Sequence, residues 1–159
     1  MKPINVSVVV ERPQQEVFDF LDVLSNHIPF TDHMLVDWSV TGPERGVGTN
    51  AHLRASAPGP KQWLDMEVIA SDAPVMTRER TIGAGGKRHT TGTYTLAPAP
   101  GGGTLVTFTF AWERAPLTDR VAAPLVRAYL RRGNERSLQR LKALLERKAA
   151  DGPTVAEAA

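Results

Sequence analysis

The chain has 159 residues, enough for one domain that buries roughly 70% of the surface its unfolded form exposes without needing staples. It contains no cysteine, which excludes disulfides, thiol nucleophiles and thiolate metal ligands and fits a cytoplasmic location. The formal net charge of +2 comes mostly from arginines in the last third, Arg120, Arg127, Arg131, Arg132, Arg136, Arg140 and Arg147. A cluster of this kind reads first as the solvated face of a helix and second as a docking face for an anionic membrane or an acidic partner; nucleic acid is not expected.

At the N-terminus apolar and polar residues alternate from Ile4 to Val8, the period of a half-buried strand, and nothing there is long and apolar enough for a signal peptide or a membrane span. Glu11-Arg12-Pro13 ends the strand and places a proline at the first turn of a helix over about Gln14 to Leu24, in which Val17, Phe18 and Leu21 fall at helical spacing. Ser25-Asn26-His27-Ile28-Pro29 breaks that helix into a loop or a second short helical turn.

From Leu35 to Trp112 strand-like runs alternate with turn residues. The runs are Leu35–Thr41, Thr49–Ser56, Gln62–Ala70, Val75–Ile82, Lys87–Leu96 and Thr104–Trp112, which with the first strand make seven. The connections, such as Gly42-Pro43, Pro58-Gly59-Pro60 and Gly83-Ala84-Gly85-Gly86, are short and favour an antiparallel meander over crossovers. In the last strand Val106, Phe108, Phe110 and Trp112 share one face, and so bulky an aromatic face needs a partner layer.

That layer is a helix from Pro116 to about Ala149. Leu117, Val121 and Leu125 form one apolar stripe; Val126, Leu130, Leu138, Leu141 and Leu145 form another, and Pro124 at the change of phase predicts a break. Arg132, Arg136, Arg140 and Arg147 project away from the second stripe. Within it, Gly133, Asn134 and Ser137 occupy inward positions where leucine would fill space, which predicts either a hollow under the helix or a large sheet residue such as Trp112 or Tyr94 filling the gap. Residues 150–159 lose all periodicity and are expected to be a disordered tail, leaving 1–149 as the folded domain.

The fold class is therefore α+β: a curved seven-stranded antiparallel sheet wrapped around a long C-terminal helix, with two short helices after the first strand. This order resembles the START-like, helix-grip (SRPBCC) superfamily, specifically its polyketide cyclase/dehydrase and lipid-transport family. The resemblance is carried by Val6-Ser7-Val8 with Pro13 to Leu21, Gly46-Val47-Gly48-Thr49, Asp72-Ala73-Pro74, Tyr94-Thr95-Leu96 and Leu138 to Lys142, and spans about residues 4–148. It implies a cavity between sheet and helix that receives lipids, polyketides or other apolar molecules. It does not by itself imply an enzyme.

Motif by motif, the catalytic signal is thin. Gly42 to Thr49 lacks the lysine and following helix of a phosphate loop and reads as a hairpin turn. His27, His33, His52 and His89 have no metal-ligand spacing, so no metal or other cofactor is expected; a surface or mouth position suits them, with His33 at the cavity mouth. Leu64, Met66 and Val68 share a face that points inward, leaving Asp65 and Glu67 outside. In the following strand Met76 and Ile82 bracket Arg78 and Arg80 on one face, opposite Thr77 and Glu79. With the Met and Ile ends inward, Arg78 or Arg80 would meet an anionic ligand group or an acidic partner; the opposite orientation would pair them with acids on neighbouring strands.

The expected ligand-binding residues are thus Leu64, Met66, Arg78, Arg80, Tyr94, Phe108, Phe110, Trp112, Leu130 and Asn134, with Arg78 as the polar anchor. The leading function is binding of an apolar or amphipathic small molecule. The alternative is a cyclase/dehydratase-type enzyme in which Arg78 or Arg80 stabilises an enolate and Tyr94 or a histidine moves a proton.

Overall fold

The computed structural model describes residues 1–151. The chain runs β1 (Ile4–Val10), α1 (Gln14–Leu21), a 3₁₀ turn (Leu24–His27) and α2 (Ile28–Thr31). Then come β2 (Leu35–Thr41), β3 (Asn50–Ala55), β4 (Gln62–Asp72), β5 (Met76–Gly83), β6 (Arg88–Pro98) and β7 (Thr104–Arg114). It ends with α3 (Leu117–Val121) and α4 (Ala123–Ala150). The disordered tail expected over 150–159 falls, beyond Asp151, outside the described residues.

All seven strands form one antiparallel sheet in the order β1-β7-β6-β5-β4-β3-β2, so every neighbouring pair except β1 with β7 is a simple hairpin. Alternation decides which side of each strand is buried. Ile4, Val6, Val8 and Val10 point inward from β1, and Leu64, Met66 and Val68 from β4. The main core lies where α4 crosses this concave face, with Leu138, Leu141 and Leu145 packed among the β1 and β7 valines, Phe108 and Phe18. A second cluster, Leu24 with Ala51, Leu53, Leu64, Met66 and Val68, lies toward the β2 end of the sheet.

The C-terminal helical segment breaks at Ala122, and Pro124 sits in the first turn of α4, where its missing N–H is no loss. No helix among the described residues is long and apolar enough to cross a membrane.

The arginine face of α4 divides into two kinds. Arg140 departs from the expected solvated face: its Nη1 lies 2.6 Å from Asp32 Oδ1 and donates to His33 Nδ1 at 3.0 Å, while His33 Nε2 donates to the Gly133 carbonyl. This network clamps the loop after α2 onto α4, so His33 is a structural tie rather than a mouth residue. Arg132, Arg136 and Arg147 are exposed, as expected of a solvated face.

Leu141 is fully buried at the centre of the main core. Leu141→Ala is expected to lower unfolding stability by about 3 kcal/mol through lost apolar contact and the cavity left behind, read as a lower urea midpoint at unchanged slope.

Candidate functional site

Beneath the N-terminal half of α4 the sheet and the helix part to leave a cavity of about 460 Å³. Leu64 and Met66 of β4, Tyr94 of β6, and Phe108, Phe110 and Trp112 of β7 form its floor and wall; Leu130 and Asn134 of α4 form its roof. Of the alternatives for the small residues of α4, the hollow is present at Asn134 and Ser137. Gly133 serves close packing instead: a Cβ there would collide with the Met34 side chain.

Arg78 and Arg80 do not reach the cavity. They sit on the outer face, where Arg78 Nε donates to Thr93 Oγ1 at 3.0 Å. Arg80 Nε lies 3.4 Å from Glu113 Oε2 but, without hydrogen-bond alignment, makes no hydrogen bond. The reason is register. Glu79 stands opposite Val68 of β4 and Gly92 of β6, and Thr77 stands opposite Tyr94. Directly opposed residues share a face, so the inward Val68 and Tyr94 carry Glu79 and Thr77 inward with them. The anchoring role expected of Arg78 is thereby overturned, and the inward charged residue is an acid.

The closed end of the cavity gathers Glu79, His27 and Tyr94. His27 is buried, not at the surface, with its ring edge-on to Tyr94 at 5.4 Å between centroids. Its Nε2 lies 2.8 Å from the Leu21 carbonyl, which requires the proton on Nε2 and leaves Nδ1 as a bare acceptor. That Nδ1 is 3.7 Å from Glu79 Oε2. Burial pushes the Glu79 carboxyl up to about 8 and the His27 imidazole down to about 4, the latter opposed weakly by the bond to Leu21. Both are neutral at pH 7, so their approach is not an ion pair. Tyr94 is held well above the ordinary phenol range by burial, then by the neighbouring Glu79.

Gly92 makes room for this arrangement. A Cβ there would lie 2.8 Å from Glu79 Oε1 and 2.9 Å from the Phe108 ring. At the other end, Arg88 grips Asp119 of α3 with two bonds of 2.6 and 2.7 Å and reaches Gln62 Oε1 at 3.0 Å. Arg88 lies opposite Gly83, four residues along β5 from Glu79, or about 13 Å at strand rise. This end is open: Leu125 and Tyr129, both lining the cavity, are 77% and 45% exposed.

A family model described as polyketide cyclase/dehydrase and lipid transport matches residues 1–146. The chain belongs to this family. Among solved structures, a protein of Thermus thermophilus, TTHA0849, superposes with a TM-score of 0.70 at 21% identity, covering 95% of this chain and 100% of that one. Norcoclaurine synthase from Thalictrum flavum, a point mutant bound to a transition-state analogue, superposes with a TM-score of 0.71 at 16% identity, over 93% of this chain and 96% of that one. Ara h 8.0201 gives 0.63 at 14% identity, over 92% and 98%. At these identities the likeness is one of fold. No curated protein matches.

Within the family fold, sequence reasoning placed the apolar wall but missed Glu79, His27 and the Arg88–Asp119 pair. Glu79 could have been found by aligning β5 against β4 and β6 rather than reading β5 alone. Nothing in the order of residues signals that His27 turns inward.

The two neutralised groups act oppositely on stability. Glu79 holds its proton more tightly folded, at about 8, than at the ordinary 4.5, so its contribution is full below pH 4.5 and is lost as pH rises to 8. His27 is depressed from 6.5 to about 4, so its contribution is lost as pH falls through that range. Between pH 6.5 and 8 Glu79 dominates, opposed only by the last of the His27 titration, and stability is expected to fall by about 1 kcal/mol. Urea unfolding across that range checks it: the fall is expected in the wild type and absent in Glu79→Gln, whereas parallel curves would mean that Glu79 is already ionised.

Proposed function

We propose that the protein is a cytoplasmic binding module that holds an apolar or amphipathic small molecule, a lipid, polyketide or aromatic compound, in the cavity between sheet and α4. The observation that carries this reading is a largely apolar chamber of about 460 Å³ lined also by two polar side chains, Glu79 and Asn134, that make no hydrogen bond to any described residue. Asn134 lines the roof, and its buried Nδ2 has no hydrogen-bond partner among the described residues. An amide left bare costs about 1–3 kcal/mol, a cost that a ligand drawing the side chain round to its own acceptor would remove. Membership of a family described as polyketide cyclase/dehydrase and lipid transport agrees with this reading.

One observation favours the alternative, an enzyme of the cyclase/dehydratase type: Glu79, His27 and Tyr94, groups able to give or take a proton, gather at one end of the cavity. Against it, Arg78 and Arg80 lie outside and supply no enolate stabilisation. Docking of the basic helix on a membrane is the weaker reading still, because Arg140 is committed to Asp32.

Native mass spectrometry of gently purified protein, with solvent extraction of what it carries, tests the proposal. A small apolar molecule is expected at one per chain, retained in Arg78→Ala. Asn134→Leu is expected to gain about 1 kcal/mol of stability, by removing the bare amide, while losing affinity for that molecule. Protein that is empty, and whose melting temperature no lipid or aromatic compound shifts, would overturn the binding reading.

A further inference from the structure

The closed end of the cavity is more selective than an apolar chamber requires. Glu79 is 9% exposed, makes no hydrogen bond to any described residue, and points its carboxyl at the chamber. His27, 3% exposed, faces it with an acceptor nitrogen whose tautomer is fixed from behind by the Leu21 carbonyl. The gap of 3.7 Å between Nδ1 and Oε2 is too long for a direct hydrogen bond. A single oxygen about 2.8 Å from each would span it.

We propose that Glu79 and His27 form a slot for a phenolic or enolic hydroxyl, which donates to His27 Nδ1 and accepts from the Glu79 carboxylic acid. This rests on the reading of the cavity as a small-molecule site. The titratable groups lining the cavity are His27, Glu79, Arg88, Tyr94, Asp119 and Tyr129. Arg88 is the cation among them, and it is paired with Asp119 about 13 Å along the strands by strand rise. A carboxylate in the slot would therefore face a lone pair and an acid with no cation beside it. An ammonium would need Glu79 ionised in surroundings that favour its neutral form. A hydroxyl satisfies both partners without creating charge, and an ether or a hydrocarbon satisfies one or neither.

The wall beside the slot suits an unsaturated ring. Tyr94 and Phe108 pack at 4.6 Å between centroids, Tyr94 also meets His27, and Gly92 presents bare backbone between Glu79 and Phe108. The oxygen-bearing end of the ligand would thus lie deep, with the remainder extending toward the mouth at Leu125 and Tyr129.

Four probes of one ring system test this by calorimetry at pH 7: naphthalene, 2-methoxynaphthalene, 2-naphthol and 2-naphthylmethylamine. 2-Naphthol is expected to bind about tenfold more tightly than naphthalene or its methyl ether, the worth of a hydrogen-bonded pair in a dry site. Glu79→Leu is expected to abolish that preference while naphthalene is still bound, which also reports that the variant is folded. Glu79→Gln, which still offers a donor, is expected to keep the preference. A preference that survives Glu79→Leu, or 2-naphthol binding no better than naphthalene, would overturn the slot and leave it to a buried water, with the cavity reading intact. Tightest binding by the amine would overturn it in favour of a cation site. Failure of every probe, naphthalene included, would overturn the cavity reading along with it.

Discussion

Antiparallel register is the constraint on which the chamber depends. Once β5 is laid between β4 and β6, the facing of every side chain on it is set by partners whose own facing is not in question: Val68 on one side, Tyr94 on the other. A slip of one residue would send Thr77 and Glu79 to solvent and bring Arg78 and Arg80 inside, because the side-chain period is two. The acid at the closed end and the exclusion of Arg78 and Arg80 from the chamber both follow from that one alignment.

The second determinant is the unequal division of α4. Its C-terminal half carries Leu138, Leu141 and Leu145 onto β1 and closes the core. Its N-terminal half offers Asn134, Ser137 and Leu130 over the aromatic end of β7, where too little side-chain volume remains to fill the space. Gly133 lets Met34 approach the helix closely, and the Asp32–Arg140–His33 network holds that approach in place. The same helix thus seals one end and roofs a chamber at the other.

The basic residues of α4 also answer a problem that the sheet creates. β1 is an edge strand, and its unpaired carbonyls would otherwise offer a template for another chain. Arg127 donates to the Lys2 and Pro3 carbonyls, Arg131 to Asn5 at 3.2 Å and Lys142 to Val9 at 2.9 Å. Glu146, held ionised by Lys142 and by the Glu11 amide, completes the seam. Part of the charge that marks this helix in the sequence is thereby engaged in covering an edge.

The amino-acid sequence by itself determined the elements and their class. The period-two runs, the short glycine and proline connections and the leucine stripe ending in Leu145 each report a local preference, and local preference is written residue by residue. The apolar cavity wall was equally legible, since Leu64, Met66, Phe108 and Phe110 sit on strands of unmistakable alternation. β5 was not, because Met76, Arg78, Arg80 and Ile82 and their opposites Thr77 and Glu79 give no clear difference in hydropathy between the two faces. Its orientation, the inward turn of His27 and the joining of Arg88 to Asp119 were decided only by tertiary structure. Each depends on which residue a neighbour from another part of the chain places opposite, and on the burial that then strips a carboxyl and an imidazole of their charge.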